Sequence, residues 1–178
     1  MIYIVDADDF CQKNNSLDVL FEIKDSNPDF KITLFSIIGL NDWSFLEYVQ
    51  LNFDWIDICP HGLYHKTSRE CQNWTYDESL KYLNNIESMN ITKIFKAPGW
   101  QISDGMYKAL VEKRYAVADQ GYNDKRRPKE LKSYILDSDN KLHYHIGHLG
   151  GHNANEISLF KEQLKQLKGD FKFIKEVI

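Results

Sequence analysis

Cysteine is scarce in this sequence: Cys11, Cys59 and Cys71 are the only three among 178 residues. A small and odd number of cysteines argues against a disulfide framework, so we expect reduced thiols. Cys59 ends a short apolar run and is interpreted as a small core residue. A Cys59–Cys71 disulfide and a thiolate metal ligand are the two alternatives that the sequence leaves open.

The sequence also lacks an excess of positive charge and any long apolar run. A net charge of −4 and a pI near 5.9 argue against proteins that bind nucleic acid or a membrane surface, because both need a basic face. The one basic run, at 125–129, is short and is interpreted as a solvated loop. No apolar stretch approaches the ~20 residues that span a bilayer, and the first residues do not resemble a signal peptide. We therefore expect no nucleic-acid or membrane partner and, by default, a cytoplasmic protein.

Short β-like runs alternate with helix-like runs along the whole chain. This alternation predicts an α/β fold with a parallel sheet. The length suits one domain with its own core and is too short for two, so residues 1–178 are expected to form a single domain.

Two histidines follow the predicted strand Trp55–Cys59. His61 and His65 are four residues apart, in a turn that could aim both imidazoles at one point above the sheet. Neutral imidazole is a common ligand for zinc and similar metals. Two histidines do not complete a site, so a third ligand has to come from elsewhere in the chain.

Three carboxylates follow the first predicted strand, Ile2–Val5, in a segment that we interpret as a loop. Neighbouring side chains in an irregular loop point apart, so one of Asp8 and Asp9 can bind a metal while the other acts as a base. Asp6 is interpreted as a loop acceptor, with a role as metal ligand in place of Asp9 as the alternative. Two imidazoles and one carboxylate make an open site for a divalent ion.

Further polar groups lie just past other predicted strands: Lys96 to Trp100, Asp119 and His148. In folds built from parallel strands, the loops at the carboxyl ends of the strands meet on one face, where active sites form. We therefore expect all of these groups to converge with the histidine turn.

In this order the motifs resemble those of the polysaccharide deacetylase family, the NodB-type domain of carbohydrate esterase family 4. The resemblance implies a distorted (β/α) barrel, complete or incomplete, of about seven parallel strands with outer helices. It also implies a metal-dependent hydrolase that removes N-acetyl groups from an amino sugar or polysaccharide, with zinc as the expected ion. By resemblance, Asp8 is the general base and Asp9, His61 and His65 are the metal ligands.

The later motifs of the family match more loosely. The resemblance implies that Lys96 neutralises Asp8 or Asp119, that the Gly99 N–H helps to stabilise the oxyanion, and that Trp100 walls the acetyl pocket. It implies that Asp119 orients the catalytic groups and that His148 is the general acid.

Three positions depart from the family pattern: Phe10 replaces a glycine, Gly62 replaces a serine or threonine, and Lys96 replaces an arginine. Arginine and lysine are not interchangeable at a bidentate contact, so the strength and geometry of the base are open.

Several residues keep alternative interpretations. His143 and His145 share one face of a predicted strand and are expected to be half-buried and hydrogen-bonded, with His145 as the second candidate for the acid. His152 is interpreted as a loop residue, and Asp119 could be an acceptor in a turn at the end of its strand.

Two other functions remain open alongside the deacetylase. One is a catalytically silent carbohydrate-binding domain that keeps the metal, and the other is a metal hydrolase that acts on a non-sugar amide or ester.

Overall fold

Parallel strands alternate with helices in the computed structural model of the chain, which describes residues 1–13, 15–136, 142–149 and 156–178. The strands are β1 Ile2–Phe10, β2 Ile32–Ser36, β3 Ile56–Pro60, β4 Ile94–Lys96, β5 Ala116–Asp119, β6 Ser133–Ile135, β7 Leu142–His148 and β8 Asp170–Lys172. The helices are α1 Leu17–Ser26, α2 Trp43–Asn52, α3 Tyr76–Ile86, α4 Asp104–Glu112 and α5 Ile157–Gln166.

The described strands hydrogen-bond as two parallel sheets. One has the order β3-β2-β1-β7, with β8 also paired to β1, and the other has the order β4-β5-β6. The Thr92 N–H, just before β4, donates to the carbonyl of Ile58 in β3 at 2.8 Å and so links the two sheets. The predicted α/β fold, a distorted barrel of parallel strands with outer helices, is confirmed.

Alternating side chains divide the core into two apolar layers. One layer lies between the strands and the helices, and the other is a small inner core to which both sheets contribute. The inner core consists of Ile4, Phe35, Cys59, Ile94, Ala116, Ala118, Tyr134 and Ile174. Side chains that are two positions apart in a strand share a face. The polar side chains two positions after inner-core residues, such as Asp6 after Ile4 and Lys96 after Ile94, therefore also face the interior.

Side-chain caps begin both α3 and α4. Thr75 and Glu78 make a reciprocal capping box, and the Ser103 hydroxyl accepts from the Met106 N–H at 2.9 Å. Ser16 differs, because its hydroxyl donates to the carbonyl of Leu149 at 2.8 Å instead of capping α1.

The interpretation of residues 6–10 as a loop is wrong, because β1 continues to Phe10. This strand pairs with β2 and β7, so hydrogen bonds keep it in the sheet despite its carboxylates.

Other expectations concern cysteines, membrane spans and the segment before α5. The three cysteines are buried free thiols, and Cys59 belongs to the inner core as expected. Within the described ranges, the helices are too short or too polar to cross a bilayer. His152, which was interpreted as a loop residue, lies outside the described residues.

Candidate active site

A bulge in β1 turns two consecutive carboxylates toward the interior. In a regular strand, neighbouring side chains point to opposite faces, so Asp8 and Asp9 would not share one. The pairing register of β1 shifts on both sides within residues 6–10, and Asp9 adopts a φ of 61°. As a result, Asp8 Oδ2 and Asp9 Oδ1 lie 3.9 and 3.7 Å from the same atom, Nε2 of His61. The bulge thus makes both carboxylates available to the histidine turn, a task that the sequence predicted for a loop.

Asp9, His61 and His65 bring three ligand atoms together. Asp9 Oδ1 lies 3.7 Å from His61 Nε2 and 3.6 Å from His65 Nε2, and the three groups offer atoms within 4.8 Å of one another. Tetrahedral ligands of zinc lie roughly 3.3–3.6 Å apart. Among the described residues, Asp9 Oδ1 is buried and has no hydrogen-bond partner, a state that costs free energy unless a ligand completes it. These residues therefore fit a divalent metal ion.

The ring of His61 is held in the form that binds metals. Its Nδ1 lies 2.9 Å from the backbone carbonyl of Lys96. A carbonyl can only accept, so Nδ1 donates and Nε2 turns its lone pair toward Asp9. Burial lowers the pKa of His61, and the nearby ammonium of Lys96 acts in the same direction. The imidazole is therefore neutral at neutral pH.

Lys96 is fully buried and neutralises Asp8. Its Nζ lies 2.6 Å from Asp8 Oδ1 and 3.2 Å from Asp6 Oδ1, and it is 4.3 Å from the centre of the Trp100 ring. Burial alone would raise the pKa of Asp8, but Lys96 leads the opposing charges, and the pKa is lowered. Asp8 is therefore ionised, with Oδ2 left 3.9 Å from His61 Nε2.

A third carboxylate, Asp6, lies in the same interior with no exposed surface. Its Oδ1 contacts His145 Nδ1 at 2.8 Å as well as Lys96, and its Oδ2 contacts His143 Nε2 at 2.5 Å. Burial raises the pKa of Asp6, but Lys96 and the two histidines outweigh it and hold the pKa well below the usual value. The interpretation of Asp6 as a loop acceptor is wrong, because it is an interior residue of β1.

Two histidines of β7 reach the site. His145 Nε2 lies 3.7 Å from Asp8 Oδ2, and His148 Nε2 lies 3.7 Å from Asp9 Oδ2. About a third of each side chain is exposed, at 33% and 34%. The Nδ1 of His148 faces Glu156 at 3.5 Å, and its backbone N–H donates to the same carboxylate at 2.9 Å. The structure therefore brings both candidate proton donors to the carboxylates of β1.

The turn after β4 places an aromatic side chain, Trp100, beside His145. Gly99 and Trp100 both adopt positive φ, at 55° and 61°. A Cβ on Gly99 would lie 2.2 Å from the carbonyl oxygen of Ser68, so the turn requires glycine there. The Trp100 ring meets the His145 ring edge-on, with 5.9 Å between centroids.

Solved structures share this architecture. A family 4 acetyl xylan esterase from Clostridium thermocellum, in complex with a cobalt ion, has a TM-score of 0.68 at 12% identity over 99% of this chain and 90% of that chain. A peptidoglycan N-acetylglucosamine deacetylase in complex with a naphthalenyl N-hydroxybenzamide has a TM-score of 0.60 at 16% identity, over 98% of this chain and 86% of that one. A mutant of a family 4 pseudoenzyme with restored activity has a TM-score of 0.62 at 16% identity, over 98% and 66%. This chain has the carbohydrate esterase family 4 fold. By sequence, no family model and no curated protein matches it.

The family 4 fold is built here with glycine after the first histidine, and the structure shows why. Glu70 accepts the backbone N–H groups of Leu63, Tyr64 and His65 at 2.8, 2.9 and 3.2 Å. Gly62 has a φ of 70°, and a Cβ there would lie 2.5 Å from Glu70 Oε2. Glu70 therefore holds the histidine turn from outside. Sequence reasoning missed it, because a single glutamate in a predicted loop gives no periodic or spacing signal.

Asp119 lies one layer behind the site of this family 4 fold. It accepts hydrogen bonds from Asn123 Nδ2 at 2.8 Å and Arg127 Nε at 3.2 Å. Asn123 also donates to the Trp100 carbonyl at 3.2 Å, so Asp119 reaches the site through that turn, and no ion pair joins it to Lys96 among the described residues. The basic run at 125–129 is not simply solvated, because the Arg127 side chain is only 8% exposed.

Proposed function

We propose that this protein is a metal-dependent hydrolase that removes N-acetyl groups from an amino sugar or a polysaccharide. The observation that supports this most strongly is the buried, unpartnered Oδ1 of Asp9 between the Nε2 atoms of His61 and His65. An ionised carboxylate, Asp8, lies directly beside this ligand set. The names of the solved structures with this fold, which include a deacetylase and an acetyl esterase, favour the same reaction class.

Zinc is the ion that we propose, held by Asp9, His61 and His65. A set of two imidazoles and one carboxylate leaves coordination positions open for water and substrate, as catalytic zinc sites require. When bound, the ion would polarise the carbonyl of the acetamide and make the attacking water more acidic.

Asp8 is the proposed general base. It is ionised, and Lys96 fixes one of its oxygens at 2.6 Å, so the other is free to accept the proton of the attacking water. Lys96 thus neutralises the base without blocking it. Because an ammonium is a point charge, it can make this contact without the planar fork of an arginine.

The leaving amine needs a proton, and β7 offers two donors. The resemblance proposes His148, and the contact between His145 and Asp6 makes His145 a second candidate. We propose that the Gly99 N–H contributes to the oxyanion contacts and that Trp100 forms the wall of the acetyl pocket. Asp119 supports that wall through Asn123.

Acetate release from N-acetylglucosamine oligomers tests this function. We expect release by the zinc-loaded protein, its loss with a chelator, and a fall of roughly 10²–10⁴-fold in Asp8→Asn. Asp57→Asn, a change at a buried carboxylate of β3 away from the site, should keep the wild-type rate. Undiminished release by His65→Ala would show that the proposed metal site is wrong.

A catalytically silent carbohydrate-binding domain is the second candidate. The observation that favours it is Lys96 in place of the arginine of the family pattern, and one structure with this fold is named a pseudoenzyme. Sugar binding by calorimetry without turnover on sugar or non-sugar amides and esters would support it. Turnover of any acetylated sugar would exclude it, and turnover of non-sugar substrates alone would point to a different metal hydrolase.

A further inference from the structure

Asp6 stands at a position to which the family resemblance gives no role, yet more basic side chains lie within hydrogen-bond distance of its carboxylate than of Asp8 or Asp9 among the described residues. Three basic side chains from two other strands meet its two oxygens: Lys96, His143 and His145. A carboxylate with no exposed surface is stable only with such partners, because burial of an unpaired charge is costly. The arrangement is therefore built around Asp6.

Asp6 fixes which nitrogen of His145 faces the site. Ionised Asp6 can only accept, so the 2.8 Å contact means that His145 Nδ1 carries a proton and donates it. Lys96 Nζ approaches the same nitrogen at 3.4 Å, and this longer approach does not compete with the shorter bond. The Nε2 of His145 is thereby directed toward Asp8, at 3.7 Å from its Oδ2.

The carboxylate of Glu156 holds the His148 ring less firmly than Asp6 holds the ring of His145. Its Nδ1 lies 3.5 Å from Glu156, which is beyond the usual range of an N–H to oxygen hydrogen bond. The Glu156 side chain is 40% exposed, whereas that of Asp6 is fully buried, so solvent competes for the Glu156 carboxylate alone. Of the two histidines, His145 has the ring that a carboxylate holds in one orientation.

Asp6 also accounts for the lysine at position 96. The ammonium lies between Asp6 and Asp8 and is enclosed by the rings of Phe35 and Trp100, at 4.8 and 4.3 Å from their centroids. A compact cation reaches two carboxylates from one point, while a planar guanidinium favours a bidentate contact with one. Asp6 therefore connects the counter-ion of the base to the ring of the proton donor.

We propose that Asp6 is the positioning residue of this site, holding His145 as the proton donor to the leaving amine and sharing Lys96 with the base Asp8. This rests on the proposed deacetylase function. It relocates to the first strand the orienting role that the resemblance gives to Asp119.

The test is Asp6→Asn in the zinc-loaded protein, assayed on an N-acetylglucosamine oligomer and on 4-nitrophenyl acetate. An amine leaves only when protonated, whereas nitrophenolate leaves without help. We therefore expect kcat for the amide to fall about 100-fold with KM nearly unchanged, and kcat for the ester to fall by less than about 5-fold. The double variant D6N/H145A should be no slower on the amide than H145A, because the two residues act as one unit.

Controls separate positioning from general damage. Asp57→Asn makes the same change at another buried carboxylate with a lysine partner, and it should alter neither substrate rate nor zinc content. Equal losses of Asp6→Asn on amide and ester, or additive losses in the double variant, would overturn the proposal. An amide kcat within threefold of wild type would overturn it as well.

A spectroscopic measurement remains decisive if the proposed function itself fails. Nitrogen-15 NMR of histidine-labelled protein should show His145 protonated at Nδ1 in the wild type and a changed Nδ1 signal in Asp6→Asn. Absence of turnover by the wild-type protein on every substrate would refute the deacetylase. A His145 signal that is unaffected by the substitution would refute the positioning role.

Discussion

Two clusters of buried aspartate and lysine lie in the barrel interior, one near each end of the strands. Near the amino end of β3, Asp57 accepts from Lys175 Nζ and from the Thr92 hydroxyl, both at 2.6 Å, and 41% of the Lys175 side chain is exposed. At the carboxyl end of β4, Lys96 is 1% exposed and contacts both Asp6 and Asp8. The two clusters therefore use the same residue types in different surroundings.

Their pKa shifts have opposite signs. Burial raises the pKa of Asp57, because its partly solvated lysine does not offset the loss of water. Burial acts in the same direction on Asp6, but Lys96, His143 and His145 outweigh it, and the pKa falls. Burial alone thus does not mark a functional carboxylate. A buried carboxylate that several buried partners keep charged, as at Asp6, is the better candidate for a functional residue.

The largest expected difference between the two clusters appears when each lysine is removed. Lys96→Met leaves two buried carboxylates without their cation and should lower the free energy of unfolding by about 3–5 kcal/mol. Lys175→Met should lower it by about 1 kcal/mol, because that lysine is partly in solvent already. Urea unfolding with a chelator present measures both, and equal losses would contradict the distinction between a closed cluster and a solvated one.

Glu70→Gln should weaken metal binding at the proposed site without affecting the Asp57–Lys175 cluster near the amino end of β3. The amide keeps one acceptor for the three N–H groups of the histidine turn but loses the charge that strengthens those bonds. We expect zinc affinity to fall about 10-fold, the effect typical of groups that support ligands. Calorimetric titration of zinc measures it. Glu78→Gln, the same substitution in the capping box of α3, is the control and should leave the affinity unchanged; a similar loss there would mean that the effect of Glu70 is not local.

The smallest effect is a dependence on pH that has opposite signs in Asp6→Asn and Asp57→Asn. The lowered pKa of Asp6 stabilises the wild type above the unfolded value of about 4, and this advantage over Asp6→Asn should shrink as pH falls from about 5 to 3. The raised pKa of Asp57 acts in reverse, so the wild type should lose stability relative to Asp57→Asn as pH rises above about 4. Chemical unfolding of the metal-free proteins across this range checks both signs. Parallel trends would show that the two carboxylates do not differ as described.

Much of the site could be predicted from the sequence because its parts lie at the ends of strands. His61, His65 and Asp9 converge as expected, since the carboxyl ends of parallel strands meet at one face. Lys96 was expected to neutralise Asp8 or Asp119, and it lies beside Asp8. These inferences depend only on where strands end, which hydrophobic patterning reveals.

The remainder depends on contacts that no local pattern encodes. A run of carboxylates argues against a strand, yet pairing on both sides keeps residues 6–10 in the sheet, with a bulge at Asp9. The partners of Asp6 come from residues 96, 143 and 145, so its role could not be inferred from neighbours in sequence. Asp119 was expected to orient the catalytic groups, and its contacts with Asn123 and Arg127 could not be inferred from the sequence pattern.

The bulge in β1 determines how the site could change by mutation. Because side-chain direction in a strand alternates with a period of two, deleting one residue within 6–10 would restore regular pairing and turn Asp8 or Asp9 outward, into the apolar layer that Phe10 shares with the helices. A substitution such as lysine for arginine at position 96 alters the charge contacts by degrees and keeps the spacing. A one-residue deletion would separate Asp8, the proposed base, from Asp9, the proposed metal ligand, in a single step. The length of this segment is thus a stricter requirement of the chemistry than the identity of any one supporting residue.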